Sequence, residues 1–310
     1  MIFEQEAGKN WNESVYEVSY TKEFAEANKS EGEVFFVRDN ENKAIVVIKK
    51  KAIKLLSRAQ IFTDCKDEEF LKEIISKLKK MGVPYARIGN TMFGLRNKIN
   101  MLNSKIIKRN SFVLNLKSDE NEIFINFHRR LKRAIKKAQD EKVEVKDIDN
   151  KEELEEYYKL SLDTEKNIQK AKGRKTFFIQ KYEFFKKLLD SGIGRVIVAK
   201  FEGKIIAGGF FLVWKDKAVY FQACSDINFR NKEGPSIIQW EAIKKFKKEG
   251  LKKYDLGGVT LGLDEKDSRY FVYEFKRKFE GELIEFYNIE FELNRFKRIQ
   301  DGLIKLRYGI

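Results

Sequence analysis

One succession of elements is written twice in this chain. Val34-Phe35-Phe36-Val37 and Ala44 to Ile48 are runs of β-branched and aromatic residues around the polar turn Asn40-Glu41-Asn42, the pattern of a hairpin. Phe70, Ile74, Ile75 and Leu78 then recur at helical spacing between Asp67 and Met81, Gly82 stops the helix, and Tyr85 to Gly89 follows as a short strand. The same order returns as Arg195 to Lys200, a turn at Glu202-Gly203, Ile205 to Trp214 and Ala218 to Gln222. A helix from Ser236 to Lys248 carries Ile237, Trp240, Ile243 and Phe246, stops at Gly250, and leads into Lys253 to Gly257. Strand, turn, strand, helix, glycine, strand occurring twice implies two copies of one α/β unit, with a period far too long for a solenoid.

Between the copies, Asn121 to Glu141 reads as one helix with Phe124, Phe127, Leu131, Ile135 and Ala138 on one face. Its other side carries Arg129, Arg130, Lys132, Arg133, Lys136 and Lys137. Helices from Lys151 to about Thr164 and from Phe178 to Leu189 introduce the second copy. The expected domains are therefore 1–148 and 149–283, with 284–310 packing back on the first. Only two prolines and no Ser/Gly linker separate the copies, so they are expected to pack around a ligand cleft.

A net charge of +15 draws the chain toward polyanions: RNA, anionic head groups or a nucleotide-linked substrate. A lysine-rich solvated surface is the equally weighted plain alternative. Hydrophobic residues at 42% and aromatics at 13% exclude a disordered chain. Two distant cysteines and the single His128 argue against a zinc site and leave any histidine-assisted nucleophile dependent on His128. The acidic start Met1 to Glu6 lacks a signal-peptide pattern, and no apolar run reaches spanning length. A cytoplasmic protein, visiting the membrane surface, is the expectation.

Chemistry concentrates between Ile237 and Phe286. An amphipathic helix, a strand ending in Gly257-Gly258, and the cationic stretch Phe275-Lys276-Arg277-Lys278-Phe279 lay out a site for an anionic or carbonyl-bearing substrate. The first copy lacks both the glycine pair and the Phe-Lys element, which puts the chemistry in the second.

These residues resemble the FemABX family of aminoacyltransferases, which build peptidoglycan interpeptide bridges on a GNAT-type acyltransferase fold. The resemblance is carried, in the family's order, by Ser111 to Leu116 with His128 to Ala138, by Lys204 to Gly209, by Asn228-Phe229-Arg230-Asn231 with Gly234-Pro235-Ser236 and Gln239 to Ile243, by Tyr254 to Gly258, and by Phe275 to Glu282. It implies an α/β fold of two tandem GNAT-like acyltransferase domains packed around a cleft. It also implies aminoacyl-tRNA as co-substrate with no metal and no cofactor, and a UDP-linked or lipid-linked muropeptide as acceptor. Peripheral contact with the inner face of the cytoplasmic membrane goes with the lipid-linked case.

In that frame Lys276 matches the family's Phe-Lys lysine and would stabilise the oxyanion of ester aminolysis. Arg277 and Lys278 are its rivals; on a strand, Lys276 and Lys278 share a face, and a solvated edge is the plain reading. Asp255 receives or relays the amine proton, or orients its neighbours. Arg230 matches the arginine that contacts the precursor's diphosphate, against a salt bridge to Asp226 as the plain reading. Tyr254, Phe275, Lys278 and Arg58 complete the expected substrate contacts.

The sequence departs from the family at Arg58-Ala59-Gln60, at Arg87 to Asn90, and at Lys278 and Glu280, which bears on the acceptor more than on the fold. Two other functions stay open. One is an N-acyltransferase with an acyl-CoA donor, although Asn231 to Ser236 offers a phosphate only one glycine and a proline without an N–H. The other is a non-catalytic module that recognises tRNA or anionic lipid. The basic helix is a candidate for tRNA or membrane contact, or a solvated helix.

Overall fold

The computed structural model describes residues 1–50, 57–89, 104–172 and 179–293. Among the expectations above, Asn90, Phe178 and the segment 294–310 lie outside these residues. The chain divides into two compact units, residues 1–109 with 180–188 and 285–310, and residues 110–179 with 189–284.

In the first unit, β1 (Ile2–Glu4), α1 (Lys22–Asn28), β2 (Glu33–Arg38), β3 (Lys43–Lys49), β4 (Arg58–Phe62), α2 (Glu68–Lys80) and β5 (Tyr85–Ile88) follow one another. The β2–β3 hairpin closes at Arg38↔Lys43, where the Asp39 carboxylate accepts from the N–H groups of Glu41 (2.8 Å) and Asn42 (2.7 Å). Helix α2 is capped by Asp67, whose side chain accepts from Glu69 and Phe70, and three lysines in its last turn favour its dipole. Gly82, at φ +77°, then turns the chain as only glycine does cheaply. Phe70, Leu71, Ile74 and Leu78 are buried against Val46, Ile48, Ile61, Ala86 and Ile88. Helix α2 carries the chain across, so β5 runs parallel to β4, and the last strand, β12 (Glu282–Glu292), pairs antiparallel with β5 from Ile289↔Ile88 to Glu292↔Tyr85.

The second unit repeats this plan. It contains β6 (Ser104–Asn115) from Asn110 onward, α3 (Glu120–Asn126), α4 (Arg129–Asp140), β7 (Glu144–Asp147), α5 (Lys151–Lys172), β8 (Gly194–Phe201), β9 (Lys204–Trp214), β10 (Lys217–Ser225), α7 (Gly234–Lys248), β11 (Lys253–Val259) and α8 (Ser268–Arg277). Helix α6 (Tyr182–Asp190) lies between α5 and β8 in the chain. Strands β8, β9 and β10 are antiparallel, α7 crosses over, and β11 runs parallel to β10. The β8–β9 turn places Glu202 at φ +50° and Gly203 at φ +79°, matching the right-handed twist of a tight hairpin. The last place is taken by β6, antiparallel to β11. Each unit's final strand is thus delivered from elsewhere in the chain.

That exchange corrects the expected boundary. The division falls at Asn110, not near residue 148, because β6, α3 and α4 pack on the second unit's core, where Phe112, Leu114, Phe127, Leu131 and Ile135 join Trp240, Ile243 and Phe246. The stretch 180–188 likewise belongs to the first unit: the Lys181 N–H donates to Glu31 at 2.7 Å and Phe184 packs on Phe24 at 5.9 Å.

The helix expected over Asn121 to Glu141 is broken in two. Phe127 and His128 are extended (ψ 144° and 139°), and the Phe127 ring sits edge-on to Trp240 (5.7 Å) and Phe279 (5.3 Å). Core burial of that ring and a fresh cap, with His128 Nδ1 accepting from the Arg130 N–H at 3.2 Å, replace helical continuity. Helix α5 extends past Thr164, and α6 starts at Tyr182. Among the described residues no helix is long and apolar enough to cross a membrane.

Candidate functional site

Strands β10 and β11 begin as neighbours and then part. Their parallel ladder covers only Lys217↔Lys253, Ala218↔Tyr254 and Val219↔Asp255, although β10 continues to Ser225 and β11 to Val259. Both strands slip register where the ladder ends: β10 between Tyr220 and Gln222 against β9, and β11 between Asp255 and Gly258 against β6. Gly257, at φ +79°, permits the second slip. The divergence opens a wedge edged by backbone of both strands.

Side chains from three further elements converge on it. The Asp255 carboxylate accepts a short hydrogen bond from Ser111 Oγ on β6 and another from the Gly257 N–H at 2.8 Å, which pins it at the bulge. Lys276, in the last turn of α8, is only 8% exposed, and its Nζ donates to the Gly258 carbonyl at 3.2 Å. That ammonium lies 6.0 Å from the Tyr220 ring centroid. Burial lowers the Lys276 pKa from 10.5 to about 8, with the charge of Asp255 opposing the drop. On the other side of β11, Tyr254 donates a short hydrogen bond to Gln239 of α7, and burial holds the phenols of Tyr254 and Tyr220 well above their ordinary range. The result is a buried corner holding an ammonium whose pKa burial lowers toward the neutral range.

The residues expected from sequence are distributed as follows. Lys276 and Asp255 come together at the wedge. Lys276 is helical and not on a strand: Asp267 caps α8 by accepting from the Arg269 N–H, and Lys276 points inward from the final turn. Lys276 and Lys278 therefore do not share a face. Lys278 ends the helix half-buried, and its carbonyl accepts from the His128 N–H at 2.9 Å. Phe275 packs edge-on to Phe279 at 5.4 Å. Tyr254, expected at the substrate, is a core residue with 0% exposure, packed on Phe246 and Phe211.

Arg230 is exposed on the 3-10 turn Ile227–Lys232. The salt bridge to Asp226 does not form; Asp226 is taken by Lys204 at 2.8 Å and by the N–H of Asn228, and Arg230 has no ion pair among the described residues. Arg58 belongs to the first unit, its guanidinium 5.5 Å from the Tyr85 ring centroid.

Sequence reasoning missed Ser111, Gln239 and Tyr220. Gln239 carried a readable signal, a polar residue on the apolar side of a helix and wholly buried. Ser111 is 144 positions from Asp255, and nothing local to it announces the pairing.

The start of α7 carries an acid. Glu233, at φ +56°, precedes Gly234-Pro235, and its carboxylate accepts from Ser236 Oγ at 3.4 Å. The carboxylate caps no first-turn N–H, but it places a negative charge on the residue that precedes the helix.

The FemAB family model matches residues 41–196 and 192–294. The chain belongs to the FemAB family. Membership supports a peptidoglycan bridge-forming transferase in general, and the order of motifs read from sequence agrees with it. No curated protein sequence matches this FemAB chain significantly. Among solved structures it is similar to FemX at 14% identity, covering 99% of both chains with a TM-score of 0.68. The C-terminal domain of a putative lysylphosphatidylglycerol synthetase from Agrobacterium fabrum matches at 12% identity over 91% of this chain and 96% of that one, TM-score 0.58. L-PGS from Bacillus licheniformis matches at 12% identity over 91% and 90%, TM-score 0.57. Identities this low speak to the fold alone, a mixed α/β fold as expected.

Proposed function

We propose that this FemAB chain moves an amino acid from aminoacyl-tRNA to the side-chain amine of a peptidoglycan precursor stem peptide. The observation that carries the reading is Lys276, a buried ammonium tethered to the Gly258 carbonyl where β10 and β11 separate. Attack of the amine on the ester carbonyl creates a tetrahedral oxyanion. A single fixed cation in a water-poor wedge stabilises that charge far more than it would in water. The C–N bond forms, the C–O bond to the ribose breaks, and the ribose oxygen leaves with a proton. Asp255, held by Ser111 and Gly257, favours the charged form of Lys276 and is the carboxylate assigned to relay the proton shed by the amine. Arg230, exposed and without an ion pair among the described residues, is the assigned contact for the acceptor's diphosphate.

Glu233 disfavours a coenzyme A donor, because its carboxylate would repel a pyrophosphate at the start of α7. The acceptor is a UDP-linked or lipid-linked muropeptide, and the second would bring the enzyme to the inner face of the cytoplasmic membrane. The deciding assay mixes charged tRNA with a UDP-linked pentapeptide and reads the product by mass spectrometry. A gain of one amino-acid residue, lost on RNase treatment and lost in Lys276→Ala, is expected. Transfer from an acyl-CoA under the same conditions would replace this reading.

A further inference from the structure

Helix α4 carries more unpaired charge than its fold needs. Arg129, Arg130, Arg133, Lys136 and Lys137 are all exposed. At 100° per residue they fall within a stripe of about 120°, opposite the buried Leu131, Ile135 and Ala138. Among the described residues, Arg129, Arg130, Arg133 and Lys136 have no ion pair, while Lys137 reaches Glu141 only at 3.9 Å. On α7, by contrast, Lys244 and Lys245 pair with Glu241 and Asp147, and Lys247 donates to two backbone carbonyls.

The stripe weakens the helix that bears it. Its first turn holds no acid and two arginines, which oppose the helix dipole. Arg129 with Arg133 and Arg133 with Lys137 are like-charge pairs four residues apart, which face each other unfavourably on the helix surface. A solvated face needs neither arrangement.

Its position ties it to the site. The His128 N–H, at the start of α4, donates to the carbonyl of Lys278, two residues beyond Lys276. The stripe therefore begins at the end of the helix that supplies the wedge's cation and runs along α4 from there. From Arg129 to Lys137 it covers about 12 Å of helix axis, and one nucleic-acid strand presents a phosphate about every 3.4 Å of its own axis. Three or four consecutive phosphates match it in length.

We infer that this face of α4 is an RNA-docking surface that grips the phosphate backbone behind the 3′ end placed in the wedge. The inference rests on the aminoacyl-tRNA donor proposed above. Three of the five cations are arginines, whose forks bind phosphodiester oxygens bidentately, and the placement of the helix favours RNA over an anionic bilayer. A helix lying in a bilayer also needs its apolar face available, and in α4 that face is buried in the core.

The test measures binding of an RNA hairpin with a single-stranded 3′ tail by fluorescence anisotropy, from about 50 to about 200 mM salt, the range in which phosphate contacts dominate. Wild type is compared with Arg130→Gln/Arg133→Gln and, separately, Lys136→Gln/Lys137→Gln, with thermal melts to establish that each variant is folded. The expected result is steep salt dependence in wild type. Each pair should weaken binding about tenfold at low salt and reduce the log–log slope by about 1.4–1.8. Unchanged affinity and slope in both variants, with wild type still binding, would overturn the docking surface and leave the donor reading intact. Failure of wild type to bind the RNA would overturn both. Loss of binding to phosphatidylglycerol vesicles with RNA binding unaltered would reassign the stripe to the membrane.

Discussion

Replacing Lys276 by methionine should make the protein more stable at neutral pH while abolishing transfer. Burial lowers the Lys276 pKa from 10.5 to about 8, a drop of about two and a half units. At 1.36 kcal/mol per unit, holding the charge at that position costs the folded state about 3 kcal/mol at pH 7. Methionine keeps most of the apolar stem but ends one atom short of Nζ, and it leaves the Gly258 carbonyl without its 3.2 Å partner, a loss of about 1–2 kcal/mol. The net gain is about 1–2 kcal/mol. The pH dependence carries its own sign. Between pH 8 and 10.5 the unfolded amine holds a proton that the folded one has released, so wild-type stability rises through this window. Below pH 8 both states are protonated and the penalty is constant. Urea unfolding of wild type and Lys276→Met at pH 7 and at about pH 10 measures the difference directly. The variant's advantage should be largest at pH 7 and shrink by pH 10. A variant less stable than wild type at pH 7, or an advantage independent of pH, would refute the claim that a poorly solvated ammonium sits at the wedge.

Turnover should also report the charge on Lys276. The rate should climb with pH as the acceptor amine loses its proton, then level off near pH 8 as Lys276 loses its own; a rise continuing toward pH 10 would make Lys276 no oxyanion partner. Arg230→Lys replaces a fork by a point charge and should raise the acceptor KM several-fold with kcat little changed, whereas an unaltered KM in steady-state assays would remove the diphosphate contact. Gly208→Ala on β9 would put a Cβ 2.6 Å from the ring of the fully buried Tyr157. Overpacking of that kind costs about 1–3 kcal/mol, read as a lower urea midpoint with unchanged slope, and a wild-type midpoint would mean that the ring moves freely.

Local chemistry made much of the fold legible. The α2 cap at Asp67, the Gly82 stop and the β2–β3 hairpin each follow from a few adjacent residues, and the duplicated order gave both crossover units. Phe275-Lys276-Arg277-Lys278-Phe279 misled because three consecutive cations between two aromatics have the look of a short, solvated edge strand. The deciding signal stood earlier, at Asp267, which caps a helix, and at Tyr273, Lys276 and Phe279 three apart. Phe127-His128 hid a break because both flanks keep helical periodicity, and a single aromatic entering the core decided it. Strand partners were least accessible. That β6 would pair with β11, bringing Ser111 to Asp255, depends on burial summed over distant residues and not on any nearby pattern.

The reciprocal delivery of β6 and β12 sets an order for the chain as it leaves the ribosome. The second unit receives β6 from sequence already made, and can close as soon as β11 emerges. The first unit cannot: β5 waits for β12, and at ordinary elongation rates the roughly 200 intervening residues take on the order of 10–40 seconds. Through that interval the nascent protein carries an open sheet edge backed by Ala86 and Ile88, a template for unwanted strand pairing. The half of the molecule that is translated first is thus the half that is completed last, and a chain released before residue 292 would leave it permanently unfinished.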